Sequence, residues 1–543
     1  MTIPPIPAEV PQLLSEAPRK RLRWFSVAMI VLFHAGLAIL FLTDRSPGTD
    51  AALTGLPLDD AWIHLVYGRS VSEQFLPCYN DGVPEAGFTS PLWMLNCAVV
   101  HWAAKAFPIS VVMCVKVIGI LWAILMSLGA FDLVFTFTRC QWTALLAGLL
   151  TASTPPLVFS QISGMEICAA AACGLMALAA MGRDRATLSG WLFAAAIWAR
   201  PEMFILVFLG IVFQVIAWRG RVLHKKLHLI KLLYPTLIAC VVWVLYCQVV
   251  TGRPLPNTFY AKFTSDFPAG FLVIVKEMIW PLPMTYQGAG ILLGVIGIIA
   301  IMRTSGAVGW TVATFPWLFF VGLACTRPFP SGCGPFFYWV RYVAPGVAFL
   351  AIPIAIGVRT IWSAKWTPIS GRTRNASIRK WIMPVVSLLL LTATLLQHPR
   401  RIMTDRSQFA WNCQNMNEVQ VELGRWLADN TSPGTVVAVN DAGALRYFSN
   451  RRIIDLLGLN NHHIVSDIAA VRRGAQSPEN MKALLQAHRA TCMVVFPSFF
   501  PQVFKNRELF RSSFTVVKVA RSSNYTVAAK GSGQATMVVA TLN

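Results

Sequence analysis

Apolar runs of membrane-spanning length recur along the first three-quarters of the sequence, and short basic stretches separate them. A transmembrane helix needs roughly 20 such residues. Trp24–Leu42 is the first run, and Arg19, Lys20, Arg21 and Arg23 precede it. Those bases place the N-terminus in the cytoplasm, because cytoplasmic loops carry the excess of Lys and Arg. The run ends without a small-residue cleavage site and reads as a retained anchor. Of the 543 residues 55% are hydrophobic and only 13% charged, against about 25% charged in a soluble domain. The net charge of +22 lies in short loops between apolar segments, so it marks sidedness and excludes a nucleic-acid-binding reading.

Further spans are expected near 110–137, 141–158, 165–181, 187–199, 201–217, 232–250, 285–302, 308–325, 342–360 and 381–397. With the first they make about eleven, and an odd number leaves the C-terminus outside. The two short spans 187–199 and 201–217 meet at Arg200-Pro201-Glu202, where proline breaks the helix. Residues 61–74 and 91–106 read as interfacial amphipathic helices within a first outer loop, 44–109. After Gln397 the character changes. Strand-like runs Thr435–Val439, Arg452–Leu457 and Thr491–Phe496 alternate with helical runs Glu418–Asp429 and Pro478–His488. The expected architecture is a mainly α, polytopic transmembrane helical bundle with an extracytoplasmic α/β domain at its C-terminus. Its parts are a cytoplasmic tail, 1–23, a membrane module, 24–397, and the α/β domain, 398–543.

The adjacent carboxylates Asp59 and Asp60 begin the first outer loop's helix in "LPLDDAWIHLVYGRS". Other outer segments supply Glu85, Glu166, Arg200, Glu202, Arg253, Asn257, Tyr260, Lys262 and Arg341. A carboxylate can act as general base toward a hydroxyl, and arginine or lysine can hold a phosphate. Together they suggest attack by an acceptor hydroxyl on a lipid-phosphate-linked group. Plainer readings exist for each. Asp59 fits an N-cap for a helix starting near Ala61, Arg341 fits a snorkelling side chain, and Glu166 fits an ion pair. Asn440-Asp441-Ala442-Gly443 fits a strand end that caps a helix. His64, His101, His462 and His463 show no spacing that commits them to a metal, and the 12 cysteines form no C-x-x-C pair.

The segment "DDAWIHLVYGRSVSEQFLPCYNDGVPEAGFTSPLWML" resembles the first outer loop of GT-C-type glycosyltransferases that use polyprenyl-phosphate sugars. The pieces "SGMEI", "ARPEM", "PLPNTFYAK", "RYVAP" and "VAVNDAGALRYFSNRRIIDLLGLN" follow in the order of the branch containing terminal arabinofuranosyltransferases. The resemblance runs from Asp59 to about Asn461. It implies a GT-C-like fold, Asp59 as the catalytic aspartate with Asp60 next, and Lys262 and Arg341 at the donor phosphate. Arg200, Glu166, Asn257, Tyr260 and Glu85 complete the expected substrate-binding set. Cys78 stands where the family often has glycine.

The expected activity is transfer of a sugar, with inversion, from a polyprenyl-phosphate donor to an envelope glycan or lipid acceptor. The expected location is the outer face of the cell (inner) membrane. Phosphate is a good leaving group, so one base on the opposite face suffices, with a cation stabilising the departing charge. Some related enzymes need a divalent metal, and no residue set commits this chain to one. A transporter would place charges near the bilayer midplane; Lys116 and Asp132 are the intra-span charges and both can sit toward span ends. A non-catalytic envelope-assembly protein would tolerate loss of Asp59. An oligosaccharide ligase is the nearer relative.

Overall fold

The computed structural model describes residues 16–218, 225–262, 272–274, 281–326, 337–364, 376–464, 477–527 and 535–543. Helix α1, Glu16–Leu42, leads into a short turn of helix, α2, Ala51–Thr54, and then into α3, Asp59–Gln74. A two-stranded hairpin, β1 Cys78–Asn80 with β2 Val83–Pro84, joins α3 to α4, Pro91–Ala106. Both helices of this loop were expected as interfacial elements, and they pack on each other. α4 uses its tryptophans as pegs. Trp93 Nε1 donates to the Gly164 carbonyl at 2.9 Å, and Trp102 Nε1 to that of Ser72 at 3.1 Å.

The bundle continues with α5 Val111–Thr138, α6 Gln141–Ser153, α7 Pro155–Ser160, α8 Ile167–Met181, α9 Ala186–Ala199, α10 Phe204–Ala217, α11 Lys226–Thr251 and α12 Asn257–Lys262. Helices Pro281–Thr304, Gly306–Thr326, Phe337–Val347, Ala351–Trp362 and Ala376–Leu395 complete it. Among the described residues five helices are long and apolar enough to span a membrane, or six if the pair bent by 51° around residues 348–350 counts as one. The expected count was about eleven. That count is not confirmed, and part of the difference has a local cause. Pro155 and Pro201 each begin a new helical segment, which cuts the apolar runs into helices of 13–15 residues. At 1.5 Å per residue these reach roughly 20 Å rather than 30 Å. Prolines inside helices, at 235, 316, 345 and 384, are tolerated where neighbouring helices take up the released carbonyls.

The two charges inside the apolar helices are held at helix ends. Lys116 Nζ donates to the carbonyls of Ala52 and Leu53, at 2.6 and 3.0 Å, and so closes the C-terminal end of α2. Asp132 pairs with Arg183 at 2.7 Å and with Arg23 at 3.5 Å. Arg23 near the start of α1 and Arg183 after α8 therefore share one end of the bundle, as the charge pattern required.

Helix His398–Met416 packs against α1, α2 and α7 and leads to a five-stranded sheet. Its order is β4-β3-β5-β7-β6, with β3 Val436–Val439, β4 Arg452–Asp455, β5 Cys492–Val495, β6 Phe514–Arg521 and β7 Thr536–Leu542. β3 runs parallel to β4 and β5, in register Val437↔Ile453 and Val437↔Cys492, while β7 is antiparallel to β5 and β6. The three parallel strands are the three runs seen in the sequence. Buried on both faces, they read as short continuous apolar stretches.

Candidate active site

The first loop and the sheet region are fastened to each other. Asn80 pairs with Ile453 through both amide atoms, at 2.9 and 2.8 Å. Tyr79 Oη donates to the Ala442 carbonyl at 2.6 Å, and Arg446 donates to the Tyr79 carbonyl at 2.9 Å and to Asp81 at 2.7 Å. Trp62 packs on Tyr447 and Phe448, with ring centroids 5.1 and 4.8 Å apart. Such aromatic pairs contribute about 0.5–1.5 kcal/mol each beyond their burial.

Asp59 belongs to this junction. Its Oδ2 accepts from Gly443 N at 2.7 Å and its Oδ1 from Ala444 N at 2.8 Å. It therefore caps helix Ala444–Ser449 across the junction, not its own helix α3. Gly443 is required here, because a Cβ at that position would run into the backbone oxygen and carboxylate of Asp59. Burial raises the Asp59 carboxyl well above its ordinary range, and the nearby Asp441 adds to it; the two backbone N–H groups pull the other way. Asp441 is itself pushed up to about 6 by burial, with Asp60 and Asp455 adding and the hydrogen bond from Gln420 opposing.

Asp60, one residue on, faces elsewhere. It borders a small cavity of about 60 Å³, together with His64, Glu166, Arg200, Thr258 and Arg341. Asp60 Oδ2 lies 2.5 Å from Arg341 Nη2. The Arg341 guanidinium is buried, held over the rings of Tyr338 and Tyr342 at 4.6 and 5.0 Å, a cation–π arrangement that keeps it in place. Its Nη2 also reaches Tyr342 Oη at 3.2 Å, while its Nε and Nη1 are buried with no hydrogen-bond partner among the described residues. Buried donors are normally satisfied, so these two nitrogens mark a place for an acceptor-rich group.

A second ionic layer lines the same cavity. Glu166 precedes α8 and binds Arg200 at 3.3 Å and His64 at 3.4 Å. Arg200 sits where Pro201 ends α9; it also meets Glu202 at 3.5 Å and donates to the Arg341 carbonyl at 3.3 Å. Among the described residues His64 Nδ1 and Thr258 Oγ1 are buried without hydrogen-bond partners. Two guanidiniums, three carboxylates and an imidazole thus surround one small space, able to hold an anion beside a proton acceptor.

The sequence-derived set divides on this geometry. Asp60, Glu166, Arg200 and Arg341 meet at the cavity. Asp59, expected to be the base, is turned away, with both carboxylate oxygens engaged by backbone amides. Arg341 is not a snorkelling side chain, since it is only 2% exposed. Asn257 is fully buried and donates to Glu85 at 2.8 Å, so both support the wall behind the cavity. Tyr260 lies under the Arg253 guanidinium at 5.2 Å and does not border the cavity. The side chain of Lys262 lies outside the described residues. His64, Glu202, Thr258 and Tyr342 border the cavity and were absent from the expected set. His64 follows Asp60 by four residues on one helix, and that i,i+4 spacing was the available signal.

Residues 411–538 match the model of a family described as a domain of unknown function, DUF8728. No curated protein sequence matches. Solved structures do. The oligosaccharyltransferase AglB from Archaeoglobus fulgidus, in complex with an inhibitory peptide and a dolichol-phosphate, superposes with a TM-score of 0.60 at 11% identity. The match covers 92% of this chain and 73% of that one. ArnT from Cupriavidus metallidurans bound to undecaprenyl phosphate gives 0.55 at 13% identity, over 94% of this chain and 98% of that one.

The fold is GT-C-like.

At such identities the likeness concerns the fold: a multi-pass helical bundle with an α/β region at its C-terminus.

Proposed function

We propose that the protein is an integral-membrane glycosyltransferase that takes a sugar from a polyprenyl-phosphate donor on the outer face of the membrane. The observation that carries this reading is the buried Arg341 guanidinium, two of whose nitrogens are unpartnered among the described residues, beside the carboxylate of Asp60. Both solved relatives carry a polyprenyl-type phosphate in their structures, dolichol-phosphate in AglB and undecaprenyl phosphate in ArnT. The closeness to the arabinofuranosyltransferase branch rests on the sequence pieces alone.

In this mechanism Arg341, backed by Arg200, receives the donor phosphate by charge-assisted hydrogen bonds. The acceptor oxygen attacks the anomeric carbon from the opposite face. The bond from that carbon to the phosphate oxygen breaks, and its electron pair leaves with the phosphate. The acceptor hydroxyl's proton passes to a carboxylate at the cavity, and Asp60 is the residue assigned that role. Asp59, the first choice on resemblance, serves instead to dock the sheet region over the cavity. Departing charge appears next to a fixed guanidinium, where stabilisation is greatest in the transition state. Glu166 keeps Arg200 and His64 in position, His64 toward the acceptor side.

The test compares surface glycans from cells lacking the protein and complemented with wild type or Asp60→Asn. The proposal expects one sugar to be absent from extracted glycans in the deletion and the Asp60→Asn strain, and restored by wild type. Unchanged glycans after deletion would overturn it.

A further inference from the structure

Helices α9 and α11 lie side by side and run the same way. Thr236 Oγ1 donates to the Gly190 carbonyl at 3.3 Å, and Trp198 Nε1 to the Ala239 carbonyl at 2.9 Å, so both helices advance together along their contact. Gly190 permits the approach, because a Cβ there would run into the carbonyl oxygens of Lys231 and Leu232. Antiparallel neighbours cancel their helix dipoles, whereas a parallel pair adds them. The two N-terminal ends, Ala186 and Lys226, therefore emerge from the same end of the bundle. The residues at their cap positions, Arg185 and Lys225, make no side-chain hydrogen bond to the first turn.

A cavity of about 570 Å³ opens beside these two ends. Arg185, Lys225 and Lys231 line it, and all three are exposed. Among the described residues none of the three forms an ion pair, and the one acid in the lining, Asp184, lies 3.5 Å from His228. Three like charges and two positive helix ends thus face one space with little to balance them. Arg183, two residues before Arg185, pairs with Asp132, which also meets Arg23. The cavity therefore sits at the end of the bundle that carries the N-terminal bases, the end expected in the cytoplasm. Arg200, at the other end of α9, borders the Asp60 cavity, so the length of that helix, roughly 20 Å, separates the two cavities.

Apolar residues decide between a soluble anion and a lipid. Leu188 and Leu227 line the cavity and are 46% and 64% exposed. Further along the pair, Trp191 of α9 and Tyr234 of α11 meet edge to face with ring centroids 6.0 Å apart, and Trp and Tyr gather at the level of the lipid headgroups. A soluble anion would use the charges and leave both leucines in water. A lipid uses both features.

We propose that this cavity binds the headgroup of an anionic glycerophospholipid, its phosphate held among Arg185, Lys225, Lys231 and the two helix ends, its acyl chains laid along Leu188 and Leu227. Basic pockets between membrane helices at the cytoplasmic surface suit such headgroups, arginine offers a planar fork for phosphate oxygens, and helix N-termini favour anions. A lipid seated there holds the first turns of α9 and α11 together at the membrane surface. The proposal uses none of the residues of the Asp60 cavity and does not depend on the transferase reading.

The test uses the full chain, purified in detergent, washed free of lipid and mixed with phosphatidylglycerol or phosphatidylcholine of the same chain length. Retained adducts are read by native mass spectrometry. The expected result is one preferentially retained phosphatidylglycerol per chain, little phosphatidylcholine, and weaker retention as salt rises. Arg185→Gln/Lys231→Gln should weaken phosphatidylglycerol roughly 30-fold, the weight of two bases near a membrane surface. Both positions are exposed, so cooperative thermal unfolding should persist, and Lys225→Gln alone should give a smaller loss in the same direction. Arg303→Gln, at an exposed base outside the cavity, and Arg341→Gln, at the other cavity, should retain the lipid like wild type. Inorganic phosphate at millimolar concentration should not displace it. Equal retention of the two lipids, retention by the double variant equal to wild type, or displacement by phosphate would overturn the site.

Discussion

Asp60 and Arg341 form a 2.5 Å ion pair at the mouth of a cavity, with the guanidinium held over two tyrosine rings. The pair gives the two residues separable roles. Asp60→Asn keeps the side-chain shape and removes the proton acceptor, so transfer should fall about 10²- to 10⁴-fold. Binding of the lipid phosphate should persist, because Arg341 loses a competitor for its own charge. Transfer rate and lipid binding, measured on the same preparation, check both halves.

Arg341→Lys is not a mild change here. Lysine keeps one charge but loses the planar fork and its stacking on Tyr338 and Tyr342. Donor affinity should fall roughly 10- to 100-fold, the weight of one or two charge-assisted hydrogen bonds. A donor titration of the variant against wild type reads this directly. Equal affinity would remove Arg341 from the phosphate site.

Gly443→Ala tests the docking of the sheet region. The added Cβ meets the Asp59 backbone and carboxylate, and overpacking of this kind costs about 1–3 kcal/mol. Hydrogen exchange should rise at 440–446 and at the start of α3, with little change in the rest of the bundle. Unaltered protection at both would show that Asp59 does not fasten the junction.

Stability should depend on pH through two carboxyls. Asp59 and Asp441 are both raised by burial, Asp441 to about 6 from 3.8. The folded state binds these protons more tightly than the unfolded one, so their contribution is complete below about pH 4. The Asp441 part is lost as pH rises through about 6. Asp441→Asn should therefore flatten the fall in unfolding temperature between about pH 4 and 6. An identical slope in the variant would contradict the assignment.

Much of this was legible because its signals are local. The parallel strands were apolar runs bounded by turn residues, and the two helices of the first loop were placed within two residues of their observed ends. Arg200 was marked by the proline after it, and the acidic pair by its place after a long apolar run. The rest depended on distance in the chain. Nothing near Asp59 told that Gly443 and Ala444 would present their amides to it, so the choice between two adjacent carboxylates could not be made locally. Helix direction separates the two: on α3 neighbouring side chains point about 100° apart, one to the junction and one to the cavity. Glu85 and His462 were likewise unremarkable alone, and came into contact when the loop after β4 folded back over the first loop. The span count of about eleven is not confirmed by helix length, in part because prolines at 155 and 201 divide apolar runs into shorter helices.

The central claim is that the cavity between Asp60 and Arg341 receives a polyprenyl phosphate. Native mass spectrometry of the purified full chain with undecaprenyl phosphate tests it most directly, comparing wild type with Arg341→Gln and Asp60→Asn. The account predicts a retained lipid adduct on wild type and Asp60→Asn, and its loss from Arg341→Gln while thermal unfolding remains cooperative. Equal retention by all three, or none by wild type, would contradict it.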